Sequence, residues 1–418
     1  MKTDLNKNIF ILLFVYLILK PSPTNLFGDM WGLKIFDMLV FIFSILIFLY
    51  WSMYKKTKRL LRKDNNAFKI SLLIITLFGF WTLLAQNIAV LGNFSSVIVI
   101  QDLFELYRYF SYVLLFYLAY VYTVNYGSNT LINYFGFATI ISIVIAILQY
   151  FNFGGVRSII SWIYTEEKLR GIESTNPRVF GSFYNANWFG VHLSIFANYY
   201  LYMLLNKRNI IKNIIYVVLG VFGIYISGSR TGIILFLLGF LIIFIIIILR
   251  NLNYKKILIL ITLLILLKNI FEFIVSKNNR INELYTALVN MDFSNIDSFT
   301  GRIESAYNFK ELIYINPISG IGYSNALNLL PHNSFLLILI QFGIIGATLF
   351  TAFWIFTFIF ILIRVTKSVK EIYLLGLLSV SLYCVSMFTG EYINSIQLAS
   401  VIFIVLGAVY GERIGEEK

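Results

Sequence analysis

The sequence predicts an all-α, polytopic integral membrane protein with about 12 transmembrane helices. A large extracytoplasmic loop carrying short helices is expected to interrupt them. Three observations lead there. Of the 418 residues, 59% are hydrophobic and only 13% charged, where soluble domains carry roughly 25% charged residues. Mean hydropathy is +0.82, more apolar side chain than a folded core of this length could hide. The apolar residues also fall in runs of bilayer length, about 20 residues each. With 5 Pro and 26 Gly the chain is neither collagen-like nor compositionally disordered.

In chain order the expected spans are 8–19, 36–53, 70–91, 104–126, 131–151, 183–205, 213–226, 232–249, 257–275, 333–363, 372–389 and 395–410. The first is short for a bilayer and 333–363 is long. The long run holds Gly343-Ile344-Ile345-Gly346, which marks a broken or re-entrant element followed by a full span. Residues 1–418 are read as one membrane domain with two long hydrophilic stretches, 152–182 and 276–332. The first apolar run ends in Lys20-Pro21 instead of a small-residue cleavage site, so no cleavable signal peptide is expected.

Charge orients the bundle. The net charge of +13 would suggest nucleic acid as partner in a soluble protein, but here it resides in loops and no nucleic acid is expected. Of 33 basic residues, 20 lie in the tails and in 54–69, 127–130, 206–212, 250–256 and 364–371; only 11 lie in the longer opposite segments. The first set is assigned to the cytoplasm, with both termini. The stretches 152–182 and 276–332 then face outward, which concentrates hydrophilic mass, and the expected chemistry, on the outer face.

Metal and redox chemistry are poorly provided for. One cysteine, Cys384, allows no intramolecular disulfide, and two histidines with one cysteine cannot build a His/Cys metal site. No metal and no cofactor are expected.

The residues that stand out are outward cations. Arg230 lies in the tight turn Ser227-Gly228-Ser229-Arg230-Thr231-Gly232 between two apolar helices. It either snorkels to close a helical hairpin or completes an anion site, with Gly228 and Ser229 supporting it. A lone outward Arg runs against the charge bias, and a guanidinium at a helix N-terminus suits phosphate. Arg178, in the segment from Arg170 to Asn187, and Arg302, after Gly301, are taken singly explained more simply as loop charges paired with Glu173 and Glu304. His332, in Pro331-His332-Asn333-Ser334, stands where a loop enters a membrane helix. An imidazole there can take a proton from a hydroxyl; the plainer reading is that Asn333 caps the helix and His332 fills space. Glu391, in Thr389-Gly390-Glu391, either orients His332 or an Arg or is a solvated loop charge. His192, between Val191 and Leu193, reads as a buried structural histidine.

In order and spacing these motifs resemble the O-antigen ligase / O-antigen and capsule polysaccharide polymerase superfamily. The resemblance rests on the Arg230 turn, Gly301-Arg302, and Asn316-Pro317-Ile318-Ser319-Gly320-Ile321-Gly322-Tyr323. It also rests on Pro331-His332-Asn333-Ser334, the Gln341-to-Gly346 stretch, and Phe180 to Gly190 with its Gly-x-x-x-Asn-x-Asn pattern. It covers roughly residues 170–363. It implies a bacterial enzyme of the cytoplasmic membrane, a metal-independent glycosyltransferase acting on the outer face. The donor would be an undecaprenyl-diphosphate-linked oligosaccharide. Arg230 and Arg302, with Arg178, would hold the diphosphate, and His332 would be the general base. The polymerase branch, which extends a growing polysaccharide by repeat units, is favoured. The ligase branch, which moves glycan onto a lipid or protein acceptor, and a flippase of lipid-linked sugar are the alternatives. The resemblance further implies contact with membrane lipid and partnership with a chain-length regulator and a flippase.

Overall fold

A computed structural model describes residues 2–20, 29–52, 65–94, 100–163, 171–173, 177–206, 208–250, 262, 279–290, 297–323, 331–368 and 370–412. Among the described residues all regular structure is helical. The helices are α1 (Lys2–Leu19), α2 (Asp29–Ser52), α3 (Asn66–Leu91), α4 (Ile100–Tyr126), α5 (Asn129–Phe151), α6 (Val156–Ile163) and α7 (Ala186–Leu205). They continue with α8 (Ile210–Ser227), α9 (Arg230–Arg250), α10 (Asn279–Asn290), α11 (Asp297–Ile315), α12 (Ser334–Lys367), α13 (Glu371–Met387) and α14 (Ile396–Gly411). Every expected span coincides with one of these except 257–275, which lies outside the described residues apart from residue 262.

Helix ends follow caps more than hydropathy. Helix α3 starts four residues before its expected span because the Asn65 side chain accepts from Phe68 N at 3.1 Å, satisfying an orphan donor.

Helices α3, α5, α8, α9 and α12 are long and apolar enough to cross a bilayer, with shorter apolar helices beside them. Their surfaces are inverted relative to a soluble protein. On α3 the apolar side chains Ile70, Leu73, Leu77, Phe80, Leu84 and Ile88 are exposed at helical spacing, while Ser71, Thr82 and Gln86 are buried. A continuous exposed apolar stripe would drive aggregation in water and is what lipid requires. The chain is a polytopic membrane protein.

The chain divides into two compact units. One comprises residues 1–20, 30–135 and 304–418, the other 21–29 and 136–303. The core of the first is α14, buried along its whole length and packed against α1, α4 and α13. Aromatic rings tie α4, α12 and α14 together. Tyr112 stacks on Phe403 with centroids 5.0 Å apart, and Phe353 stacks on Phe403 at 5.5 Å, each pair adding about 0.5–1.5 kcal/mol beyond its buried area.

Helix α12 is broken, as its glycines suggest. Gly343 adopts φ 64°, ψ −168° and separates residues 334–342 from 344–367. A break at membrane depth is tolerated only where its freed backbone groups find protein partners, and the segment 316–323 supplies them. Ile321 N donates to Ile340 O (2.9 Å) and Gly322 N to Gln341 O (3.1 Å). The Trp81 indole donates to Phe342 O at 2.9 Å. Past the break, Ile344 N donates to Pro317 O (2.8 Å) and Ile345 N to Ile318 O (3.4 Å). The Asn316-to-Tyr323 motif is therefore a backbone splint for the broken helix.

The core of the second unit is α7, also buried nearly throughout and packed on α8 and α9. Gly190 and Gly232 let α7 and α9 cross with backbones in contact: a Cβ on Gly190 would lie 2.6 Å from Ser229 Cβ. Such small-residue crossings replace the hydrophobic effect, which is weak between helices in lipid. Ser194 Oγ, recorded 2.7 Å from both Gly190 O and Gly232 O, and Asn198 Nδ2, which donates to Phe236 O at 3.1 Å, link the pair further. This crossing fixes the start of α9, where Arg230 sits.

Candidate active-site elements

In the second unit the Ser-Gly-Ser turn is built from caps. Helix α8 ends on Gly228, left-handed at φ 57°, whose N–H donates to Tyr225 O. Ser229, fully buried, then caps α9, its hydroxyl accepting from Gly232 N at 3.0 Å. Ser229 N in turn donates to Ser227 Oγ at 3.3 Å. Two of the turn's amides are thus engaged within it, and Gly228 and Ser229 serve Arg230 by aiming it. Arg230 is the first residue of α9; its side chain is 19% exposed and pairs with the Glu283 carboxylate on α10, which is 54% exposed.

Arg178 lies against the same turn. A Cβ on Gly228 would lie 3.4 Å from Arg178 Cγ. The Arg178 guanidinium donates to Asn187 Oδ1 at 3.0 Å, and its backbone N–H to Gly171 O at 2.9 Å. The residues after Arg178 are held by α5. The buried Gln149 amide accepts from Phe180 N (3.2 Å) and Gly181 N (3.0 Å) and donates to Gly181 O (2.8 Å). Ser182 N donates to Ser142 Oγ at 3.1 Å. Arg178 is therefore set by its half-buried partner Asn187 on α7, and the segment after it by the buried Gln149 and Ser142 on α5. Guanidinium groups on a Gly/Ser turn can hold an oxyanion by charge-assisted hydrogen bonds, and a carboxylate already occupies Arg230.

In the first unit, Asn333 is the N-cap of α12, accepting from Phe335 N (2.9 Å) and Leu336 N (3.0 Å). The preceding residue, His332, adopts the left-handed region at φ 50°, and its side chain is 45% exposed. Glu391 is next to it. Its Oε1 accepts the His332 backbone N–H and lies 3.5 Å from Nδ1. A carboxylate on the Nδ1 edge favours the tautomer that leaves Nε2 free to accept a proton.

The expected residues are thus distributed: Arg178, Gly228, Ser229 and Arg230 in one unit, His332, Asn333 and Glu391 in the other. Arg302 lies on α11 with its side chain outside the described residues, as is Arg170. His192 is buried, its Nε2 2.8 Å from Thr139 Oγ1. Residues that sequence reasoning passed over are Glu283, Gln149, and the Tyr112 and Tyr383 hydroxyls that bond residues 392 and 393. A single Gln near the end of an apolar run was the one available signal for Gln149.

Residues 215–351 match the family model described as O-antigen ligase (Wzy_C). The matched stretch contains the Arg230 turn, Arg302, the splint 316–323, His332 and the Gly343 break, and it supports the O-antigen ligase/polymerase superfamily. No curated protein matches the chain.

Proposed function

We propose, with that superfamily as premise, that the chain is a membrane glycosyltransferase of the polymerase type, working on the outer face of a bacterial cytoplasmic membrane. It takes an oligosaccharide repeat unit from undecaprenyl diphosphate and joins it to a sugar hydroxyl of the growing polysaccharide. The acceptor oxygen bonds to the donor's anomeric carbon, the anomeric carbon–oxygen bond to diphosphate breaks, and the electron pair leaves with the diphosphate. The acceptor proton passes to His332 Nε2, with Glu391 on the opposite edge of the ring. Arg230, Arg178 and Arg302 stabilise the departing anion, the term that usually dominates such transfers. Direct attack by the hydroxyl inverts the anomeric centre.

The observation that carries the reading is Arg230 itself. It sits on a capped Gly/Ser turn, beside Arg178 and paired with a carboxylate, and the loop charge bias supports reading it as outward.

The test is purified protein in detergent with a lipid-linked repeat unit. Polymer formation with no bilayer to cross supports transfer and eliminates a flippase. Transfer only to a lipid-core or protein acceptor would reassign the chain to the ligase branch. His332→Ala should leave single-repeat product while lipid-linked repeats accumulate; full-length polymer from it would remove His332 as the base. Arg230→Lys should be impaired as well, since a point charge cannot reproduce the bidentate fork. A product retaining the donor's anomeric configuration would exclude direct attack.

A further inference from the structure

The stretch between α13 and α14 is irregular backbone deep in the first unit. It includes a short 3₁₀ turn, Tyr392–Asn394, with Tyr392 and Ile393 buried. Its carbonyls need partners there, because an unsatisfied polar group in an apolar interior costs several times what it would in water. They are met one by one by buried side chains from three helices. Ser334 Oγ, in the first turn of α12, donates to Gly390 O at 2.7 Å. Tyr383 on α13 donates to Tyr392 O at 3.0 Å. Tyr112 on α4 donates to Ile393 O at 2.7 Å. Ser334 Oγ also accepts from Ile393 N at 3.4 Å, and the buried Arg108 guanidinium donates to Asn394 Oδ1 at 3.1 Å.

Ser334 is the member with a second connection. It is two residues from His332 and next to the cap Asn333, so one hydroxyl joins the turn carrying the imidazole to the turn carrying its carboxylate partner. Glu391, 16% exposed, lies between Gly390 and Tyr392, whose carbonyls are pinned by Ser334 and Tyr383. Neither hydroxyl touches His332.

We propose that Ser334, supported by Tyr383, is a positioning residue that holds the Glu391 carboxylate on the Nδ1 edge of His332 and thereby keeps Nε2 available to the acceptor hydroxyl. The proposal rests on His332 being the base. A carboxylate displaced by an ångström no longer selects the tautomer, and displacements of that size in outer partners typically lower activity about 10- to 100-fold.

Ser334→Ala and Tyr383→Phe each remove one oxygen and keep the packing volume. In the detergent transfer assay, Ser334→Ala should lower kcat about tenfold and leave KM for the lipid-linked donor unchanged. The deciding readout is a double-mutant cycle with Glu391→Gln. If Ser334 acts through Glu391, Ser334→Ala has less than about a twofold further effect in the Glu391→Gln background. Multiplying losses in the two backgrounds, or full activity of Ser334→Ala beside an impaired Glu391→Gln, would overturn the proposal. Tyr383→Phe runs the same cycle and decides the matter should Ser334→Ala not fold to a monodisperse protein. Full activity of His332→Ala would instead remove the reading on which the inference rests, a separate and distinguishable outcome.

Discussion

Replacing Gly343 by alanine should destabilise the protein far more than the same change at a left-handed glycine that faces open space. Two terms combine. At φ 64°, ψ −168° the backbone occupies a region that is essentially glycine-only, costing a side-chain-bearing residue about 1–3 kcal/mol. The added Cβ would also lie 2.6 Å from Ser319 N and closer still to the Ile318 carbonyl. These are backbone atoms, so either α12 or the splint must move, at about 1–3 kcal/mol for the overpacking. Movement also strains the Ile344 N–Pro317 O and Ile345 N–Ile318 O bonds; one of them left unmade in an apolar interior adds about 1–3 kcal/mol. The expected loss is therefore about 3–9 kcal/mol, a drop of roughly 10 °C in apparent melting temperature. The assay is retention of monodisperse protein in detergent after heating, run beside two controls. Gly127→Ala has positive φ and no neighbour within 4 Å, so it isolates the backbone term at about 1 kcal/mol. Gly301→Ala, helical and open, should be neutral or stabilising by about 0.5–1 kcal/mol. A Gly343→Ala protein that melts with Gly127→Ala would refute the splint as the reason for the glycine.

Other perturbations probe the candidate residues and their surroundings. Glu283→Gln should lower KM for the lipid-linked donor by no more than about fivefold, because an ion pair with a half-exposed partner is worth at most about 1 kcal/mol; a raised KM would make Glu283 a donor-binding group instead of a competitor. Gln149→Met removes the acceptor for Phe180 N and Gly181 N and should cost about 2–4 kcal/mol in thermal stability, since two buried amides lose their partner; unchanged stability would mean those amides find another acceptor. Thr139→Val should destabilise by about 1–3 kcal/mol by stripping the hydroxyl from buried His192 while leaving donor KM untouched, and a changed KM would argue against His192 being structural.

What the sequence revealed and what it hid divide along a physical line. Apolar run length is local, so spans were legible, and so was the break in α12, because a glycine pair inside an apolar run is a local signal. Their ends were less so, since α3 begins where Asn65 can cap it and hydropathy does not register a cap. The partners of the break were not legible at all. Asn316 to Tyr323 reads as a loop motif, and only folding shows that its backbone substitutes for the missing helical hydrogen bonds at residues 340–345. The same holds at the candidate site residues. Arg230, Arg178 and His332 stood out by residue type and position. Glu283 and Gln149 did not, because nothing in their neighbourhood distinguishes a partner from a bystander until the chain brings Glu283 to Arg230 and Gln149 to residues 180–181.

The strength of the Arg230 pairing bears on the proposed reaction. A guanidinium only 19% exposed cannot be left without an anion cheaply, yet a deeply buried carboxylate would hold it too firmly for a substrate to compete. Glu283 falls between these limits: at 54% exposure its attraction is screened by water, leaving at most about 1 kcal/mol to overcome. A diphosphate carries more charge than one carboxylate and presents paired oxygens to the guanidinium fork, so it can displace Glu283 with a net gain. Arg178 donates to the neutral Asn187 amide, which orients the guanidinium. A counter-ion of the strength of Glu283 on Arg230 suits a site that must bind an anion tightly in the transition state and release it afterwards. A buried salt bridge there would satisfy the fold and abolish that exchange.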